Sequence, residues 1–399
     1  AYTGGEKPPA SFKPGSNVRP NPYAGEKPLF SIKPADGAKY ADKLTAGARE
    51  MLKRHADFRM DVYKTHRSVN FPSFVLANTA KNAVEAKTAD GGLALEGYRA
   101  GVAFPIPKTG AEAVWNHKLR YMGEGRIEQY ATIFSNKGGD FTPLVQQQWT
   151  WVPFHSPKNK GVEDVGGVEM KLLNAVLSPA ARAGELILAH WSMNESSDAW
   201  LYFPGQRRTR RAPTFAYDNP VPGYENLETV DQYPMYAGAM DRYDWKLVGK
   251  KEIYVPYNAY KLANKNLKYK TDIIQKGTIN PDLMRYELHR VWEVEATLKP
   301  GSKHIYGKRV FYLDEDSWTV VYEDAYDTRK QLWRIGVHPM IQFYDVKIPY
   351  FRANVWHDLN SGAYYASGLD NEIKAPWDWN QKGKWADFQP DALRRLGTK

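Results

Sequence analysis

The chain has 399 residues, enough for two average domains or for one large β domain with insertions, and 42% of them are hydrophobic, so a packed core is expected. No apolar run approaches the roughly 20 residues that cross a bilayer, and a soluble protein without a membrane-spanning helix is expected. The net charge of +10 comes from 55 basic and 45 acidic residues of interspersed sign, a balance that singles out no acidic partner, and the absence of cysteine excludes disulfides, thiolate metal sites, a Cys nucleophile and a lipidated N-terminal Cys.

Residues 1–40 are rich in Pro, Gly and Lys and carry a near-repeat, Gly5-Glu-Lys-Pro8 with Gly25-Glu-Lys-Pro28 and Ser11-Phe-Lys-Pro14 with Ser31-Ile-Lys-Pro34. Two copies make no solenoid, and the segment reads as an extended arm over the body or a flexible tail. Helices are predicted over Asp42–His55, where Leu44, Ala48, Met51 and Leu52 share a side, over Phe71–Lys87 and over Glu112–Arg120. Strands follow in Gln146–Phe154, with Trp149 and Trp151 on one face, and in Glu185–Trp191. The stretch Asp198–Pro213 reads as an aromatic strand, a Pro204-Gly205 break and a second strand holding Arg207, Arg208, Arg210 and Arg211.

Tyr236–Trp245 reads as a turn and short helix. In the C-terminal half, Trp292, Val294, Ala296 and Leu298 alternate with Glu293, Glu295 and Thr297, the pattern of a half-buried strand. Lys308–Leu313 and Trp318–Tyr326 flank the polar turn Asp314–Ser317 and form a predicted hairpin. Gln331–Gln342 and Tyr350–Trp356 continue the series. The whole suggests a mainly β (α+β) chain: a large curved antiparallel sheet or half-open barrel with covering helices, spanning 41–370 as one domain, with an irregular tail over 371–399. The content of 13 Trp, 26 Tyr and 15 Phe points the same way, toward a sheet around an apolar cavity.

Catalytic motifs are missing: no G-x-S-x-G elbow, H-E-x-x-H helix or phosphate loop occurs, and Gly123-x-Gly125 lacks a third glycine. The nine histidines show no metal-ligand spacing, and neither a metal nor a cofactor is expected. His190 reads as a hydrogen-bonded core histidine or a pocket residue. Asp231, Asp241 and Asp244 read as caps or partners of Arg242, with paired carboxylates for a hydrolase as the alternative. The arginine run admits three readings: a nucleic-acid patch, a solvated strand paired with nearby carboxylates, or a basic rim gripping lipid headgroups.

The hairpin Trp200-Leu-Tyr-Phe-Pro204 with Arg207-Arg-Thr-Arg-Arg211 resembles that of the lipoprotein-carrier (LolA/LolB-like) superfamily, half-open β-barrels that hold acyl chains. Further stretches resemble one envelope family within it, of the DUF1329 type. They are Gly101–Pro107, Trp115–His117 with Arg120-Tyr121, Tyr224–Leu227, Thr229–Gln232, Tyr236–Ala239, Asp241–Gly249 and Tyr254–Asn258. The resemblance implies a periplasmic location and work beside RND-type (resistance-nodulation-division) transporters and outer-membrane proteins. It also implies sequence preceding Tyr2-Thr-Gly-Gly5, so a processed or shortened chain is expected. On that basis the protein is expected to be a non-enzymatic carrier for a lipid or other hydrophobic molecule, with a structural adaptor as the alternative. Trp149, Trp151, Leu186, Leu188, Trp200, Tyr202, Trp292 and Val294 are the expected cavity wall, and the four arginines its headgroup rim. Neither nucleic acid nor a catalytic residue is expected.

Overall fold

The computed structural model describes residues 5, 7–16, 18–212, 215–375, 377–379 and 381–397. Tyr2 to Gly4 and Glu6 of the N-terminal motifs, and Pro213 at the end of the arginine-rich hairpin, lie outside the described residues.

Fifteen strands join one sheet. In chain order they are β1 (Phe30–Ile32), β2 (Met60–Val62), β3 (Gly125–Ser135), β4 (Phe141–Trp151), β5 (Val168–Ser178), β6 (Leu186–Ser192), β7 (Asp198–Phe203), β8 (Arg208–Arg211), β9 (Tyr243–Pro256), β10 (Tyr286–Leu298), β11 (Tyr306–Asp314), β12 (Val320–Asp327), β13 (Leu332–Val337), β14 (Asn354–Asp358) and β15 (Tyr364–Leu369). They lie in the order β1-β2-β10-β11-β12-β13-β14-β15-β3-β4-β5-β6-β7-β8, with β9 also paired to β10. Pairing is antiparallel except where Tyr286 of β10 meets Val62 of β2 in parallel. The sheet does not close, because β1 and β8 end it. Two meanders, β3–β8 and β10–β15, are stitched together where Tyr365 of β15 faces Phe134 of β3.

The register assigns every strand residue to one of two faces. Phe134, Leu144, Val294, Phe311, Trp356 and Tyr365 share one face with the buried helix α3 (Gly110–Lys118). On the other face Ile133, Tyr322, Ile335 and Val355 pack with α1 (Ala46–Arg54) and α2 (Ser73–Glu85). Thr45 caps α1 by accepting from Ala48 N–H at 3.0 Å, and Gly47 N–H docks the same turn on buried Asp324 at 3.0 Å. Ala48, Met51 and Leu52 form the buried stripe that the sequence spacing predicts. In the N-terminal stretch, Arg19 pairs with Asp370 at 3.1 Å and Tyr23 stacks on His66.

Four segments differ from expectation. Gln331–Gln342 and Tyr350–Trp356 are not continuous strands. Pro339, which has no N–H to donate, breaks the first, and Met340–Phe343 pairs with Ile348–Phe351 as a separate small sheet. Tyr236–Trp245 forms no helix, since strand β9 already starts at Tyr243. The tail is not wholly irregular either: Asp378 bridges to Ile127 of β3, and helix α4 (Pro390–Gly397) packs against β6, β7 and β8.

Candidate functional site

Between β8 and β9 the chain runs over the α3 face as a segment with almost no regular structure, residues 215–242. Its apolar members Phe215, Val230 and Ala237 pack on Met170, Leu172, Ala189, Trp191 and Ala199 of β5–β7. Beside this contact the segment and strands β3–β6 line a partly open cavity of about 50 Å³. That is room for about four water molecules. Leu172, Ile187 and Trp191 wall it from the sheet, and Phe215, Val221 and Val230 from above.

A polar chain forms one side. Tyr130 hydroxyl donates to Gln148 (2.9 Å) and accepts from Asn174 (3.1 Å), whose oxygen accepts from Gln146 (2.9 Å). Gln146 in turn accepts from Thr132 (3.0 Å) and from Tyr224 of the covering segment (3.2 Å). Each side-chain amide is thereby fixed in orientation by its neighbours. The buried indole N–H of Trp191 has no acceptor among the described residues.

Charged residues hold the covering segment down. Arg334 of β13 donates to the carbonyls of Asn226 (2.6 Å) and Leu227 (3.3 Å) and to Gln232 (3.2 Å). Arg309 of β11 bridges Glu323 (2.5 Å) to Asp231 (2.8 Å) and donates to the Met235 carbonyl (3.0 Å). Val320 N–H donates to His117 Nδ1 (3.0 Å), which leaves Nε2–H to donate to the Pro234 carbonyl (2.9 Å), so α3 is tied to the same segment. Gly336 allows the close approach: a Cβ there would stand 2.7 Å from the Met235 sulfur and 2.9 Å from Trp356.

Electrostatics separate two acids in this segment. Burial opposes ionisation of Asp231, yet Arg309 and His304 outweigh it and hold the carboxyl at about 2. Among the described residues, no cation pairs with Glu228. Burial pushes it up to about 7, and the hydrogen bond donated by Tyr365 only partly opposes this.

The eight expected wall residues do not share one wall. Trp149, Trp151, Leu186, Leu188, Trp200 and Tyr202 cluster on the α1 face, where Phe388 and Leu393 of the tail cover them. Trp292 and Val294 lie on the opposite face, in the core around α3. None of the eight lines the cavity. Nor do the arginines: Arg207, Arg208, Arg210 and Arg211 are exposed on the terminal hairpin, and Arg211 pairs with Asp198. His190 is half-buried and hydrogen-bonded to the Phe388 carbonyl (2.7 Å). Asp241 accepts from Tyr217, while Asp231 pairs with Arg309 and not with Arg242, whose partner is Asp218. His190, Asp231 and Asp241 thus share no partner. The polar wall, Tyr130, Gln146, Gln148, Asn174 and Glu228, had a signal in the strand Val145-Gln-Gln-Gln-Trp-Thr-Trp151, whose polar alternation looks solvent-facing but points inward.

The sheet is open and mainly β, with few helices and a covering segment on one face. Residues 31–394 match the family described as a protein of unknown function, DUF1329, and the chain belongs to that family. It is 43% identical over 383 residues to the uncharacterized protein PA3922 of Pseudomonas aeruginosa, covering 95% of this chain and 84% of that protein. Among solved structures it is similar to a Vibrio parahaemolyticus protein described as an outer membrane lipoprotein-sorting protein domain. That match has a TM-score of 0.50 and 16% identity, over 71% of this chain and 97% of the other. A DUF1329 protein from Desulfovibrio piger aligns with a TM-score of 0.45 and 13% identity, over 68% of this chain and 92% of that one. The LolA superfamily protein NE2245 of Nitrosomonas europaea gives 0.42 and 12%, over 72% and 100%. No described helix is long and apolar enough to cross a membrane.

Proposed function

We propose that the protein is a non-enzymatic carrier of the Gram-negative periplasm that holds a lipid or another hydrophobic molecule between strands β3–β6 and the segment 215–237. The observation that carries this is the pairing of a cavity that has one apolar and one polar side with a cover of almost no regular structure that is fastened by side chains. Such a cover can lift without unfolding a strand or helix. A buried acyl chain gains about 0.8 kcal/mol per CH₂, so an apolar wall suffices for affinity. The polar side then orients the ligand, and an oxygen of the ligand beside Trp191 would satisfy its indole N–H. We further propose, as the sequence resemblance implies, work beside an RND-type transporter and an outer-membrane partner. Arg207, Arg208 and Arg210, at the free end of the sheet, are the proposed contact with acidic headgroups during delivery. Trp149, Trp151 and their neighbours serve as the seat of α4.

Tryptophan-fluorescence titration with phosphatidylglycerol or a fatty acid tests the proposal. Saturable binding is expected, with the signal reduced in W191F and the binding lost in L172W, which fills the cavity. A flat response at tens of micromolar ligand, or unchanged binding in L172W, overturns it.

A further inference from the structure

The cavity beneath residues 215–237 has no positively charged lining: among the described residues, no Lys, Arg or His borders it. The hydrogen bonds of its polar side are spent within the wall. Tyr130, Gln146, Gln148 and Asn174 serve one another, Ser367 shares a hydrogen bond with Thr132 (2.8 Å), and Gln148 also donates to Glu128 (3.1 Å). Of the described lining residues, only Trp191 keeps a buried side-chain polar atom without a partner, its indole N–H. What the wall holds out to a ligand is therefore an uncharged donor.

The cations nearby are committed elsewhere. Arg126 pairs with the same Glu128 at 3.0 Å and donates to the Tyr350 hydroxyl at 2.6 Å. Arg334, whose backbone partners flank Glu228, is also held by the Tyr306 hydroxyl (3.0 Å) and Asp358 (3.2 Å). The lining does carry an acid, Glu228, which accepts a hydrogen bond from Tyr365 and which burial holds near neutrality, at about 7. A carboxylate or phosphate head placed here would meet a like charge and find one free donor to replace its water. An alcohol, ester or amide avoids both costs, and its oxygen accepts from Trp191. Size agrees, since room for about four water molecules seats a group of that kind while the attached chain leaves through the open side.

We propose that this cavity seats the head of an uncharged, oxygen-bearing amphiphile, an alcohol, ester or amide, in preference to a carboxylate or phosphate head. The inference rests on the carrier reading and names the chemistry of its ligand.

Dodecanoate, methyl dodecanoate and 1-dodecanol share one chain and differ only in the head. Calorimetric titration at pH 8, where most of Glu228 is ionised, is expected to show the two uncharged ligands bound about tenfold more tightly than dodecanoate. Glu228→Gln removes the acid and keeps an acceptor for Tyr365. In that variant dodecanoate is expected to gain about tenfold while the uncharged ligands keep their affinity, a response that the greater water solubility of dodecanoate does not produce. Trp191→Phe is expected to weaken the uncharged ligands about fivefold, the scale of one lost hydrogen bond. Equal affinity of wild type for dodecanoate and methyl dodecanoate, or no gain by dodecanoate in Glu228→Gln, overturns the inference; where L172W still abolishes binding, the carrier reading survives that result. Binding of none of the three ligands by wild type overturns both.

Discussion

The two faces of this sheet are closed by opposite means. Over β11–β13 on the α3 face, closure depends on buried charges: Arg309 and Arg334 reach from the sheet to the backbone and acids of residues 226–235. Over β4–β7 on the α1 face, closure is apolar. Phe388 and Leu393 of the tail are fully buried on Trp151, Leu173, Leu188 and Tyr202. Apolar contact is non-directional and stabilises in proportion to area. A buried ion pair adds little net stability, because desolvation offsets attraction, but it accepts only one geometry. The first kind of closure fixes where a cover sits, and the second fixes that it stays. A cover meant to move over a ligand cavity is better served by the first.

Substitutions can break that contrast. The largest effect is expected from Arg309→Leu, which strands Glu323 without its cation and leaves Asp231 with His304 alone. A loss of about 3–5 kcal/mol in urea unfolding is expected. Leu188→Ala, fully buried beneath α4, should cost about 2–5 kcal/mol, a cavity penalty with no electrostatic part and hence insensitive to pH. Equal pH dependence of the two losses would erase the distinction.

Glu228 sharpens it. Its carboxyl, normally near 4.5, is held at about 7 in the fold, so the folded protein keeps a proton that the unfolded chain has released. The stability this contributes is complete below about pH 4.5 and is lost as pH rises through 7. Glu228→Gln removes that share, and its unfolding free energy from urea titration should fall about 1–3 kcal/mol less than that of wild type between pH 5 and 8. Burial holds Glu323 and Asp324 near 7 as well, and they keep the remaining slope. The smallest effect is expected for Thr45→Ala, about 1 kcal/mol for the lost cap of α1, read as faster amide exchange in residues 46–54.

Much of this architecture was legible. Period-two alternation over 292–298 and 308–326 marks β10–β12 and their hairpin, because each strand there has one dry face. Helix α1 declared itself through its apolar stripe. The site was harder, and one reason is parity. Alternation says that Trp149 and Trp151 share a face and that Trp292 and Val294 share a face. It cannot say that these are opposite faces, since the strands are linked only through the pairing of β15 with β3. Polarity misled in turn, because Gln146, Gln148 and Asn174 satisfy one another inside the sheet and need no solvent. The covering segment left no periodic trace, being held by arginines far along the chain.

The most direct measurement is native mass spectrometry of gently purified protein, wild type and L172W, followed by organic extraction and lipid identification. A stoichiometric apolar adduct on wild type that is lost in L172W is the predicted result. A wild-type mass that stays free of adduct after incubation with lipid vesicles, or an adduct that L172W retains unchanged, would contradict a carrier site beneath residues 215–237.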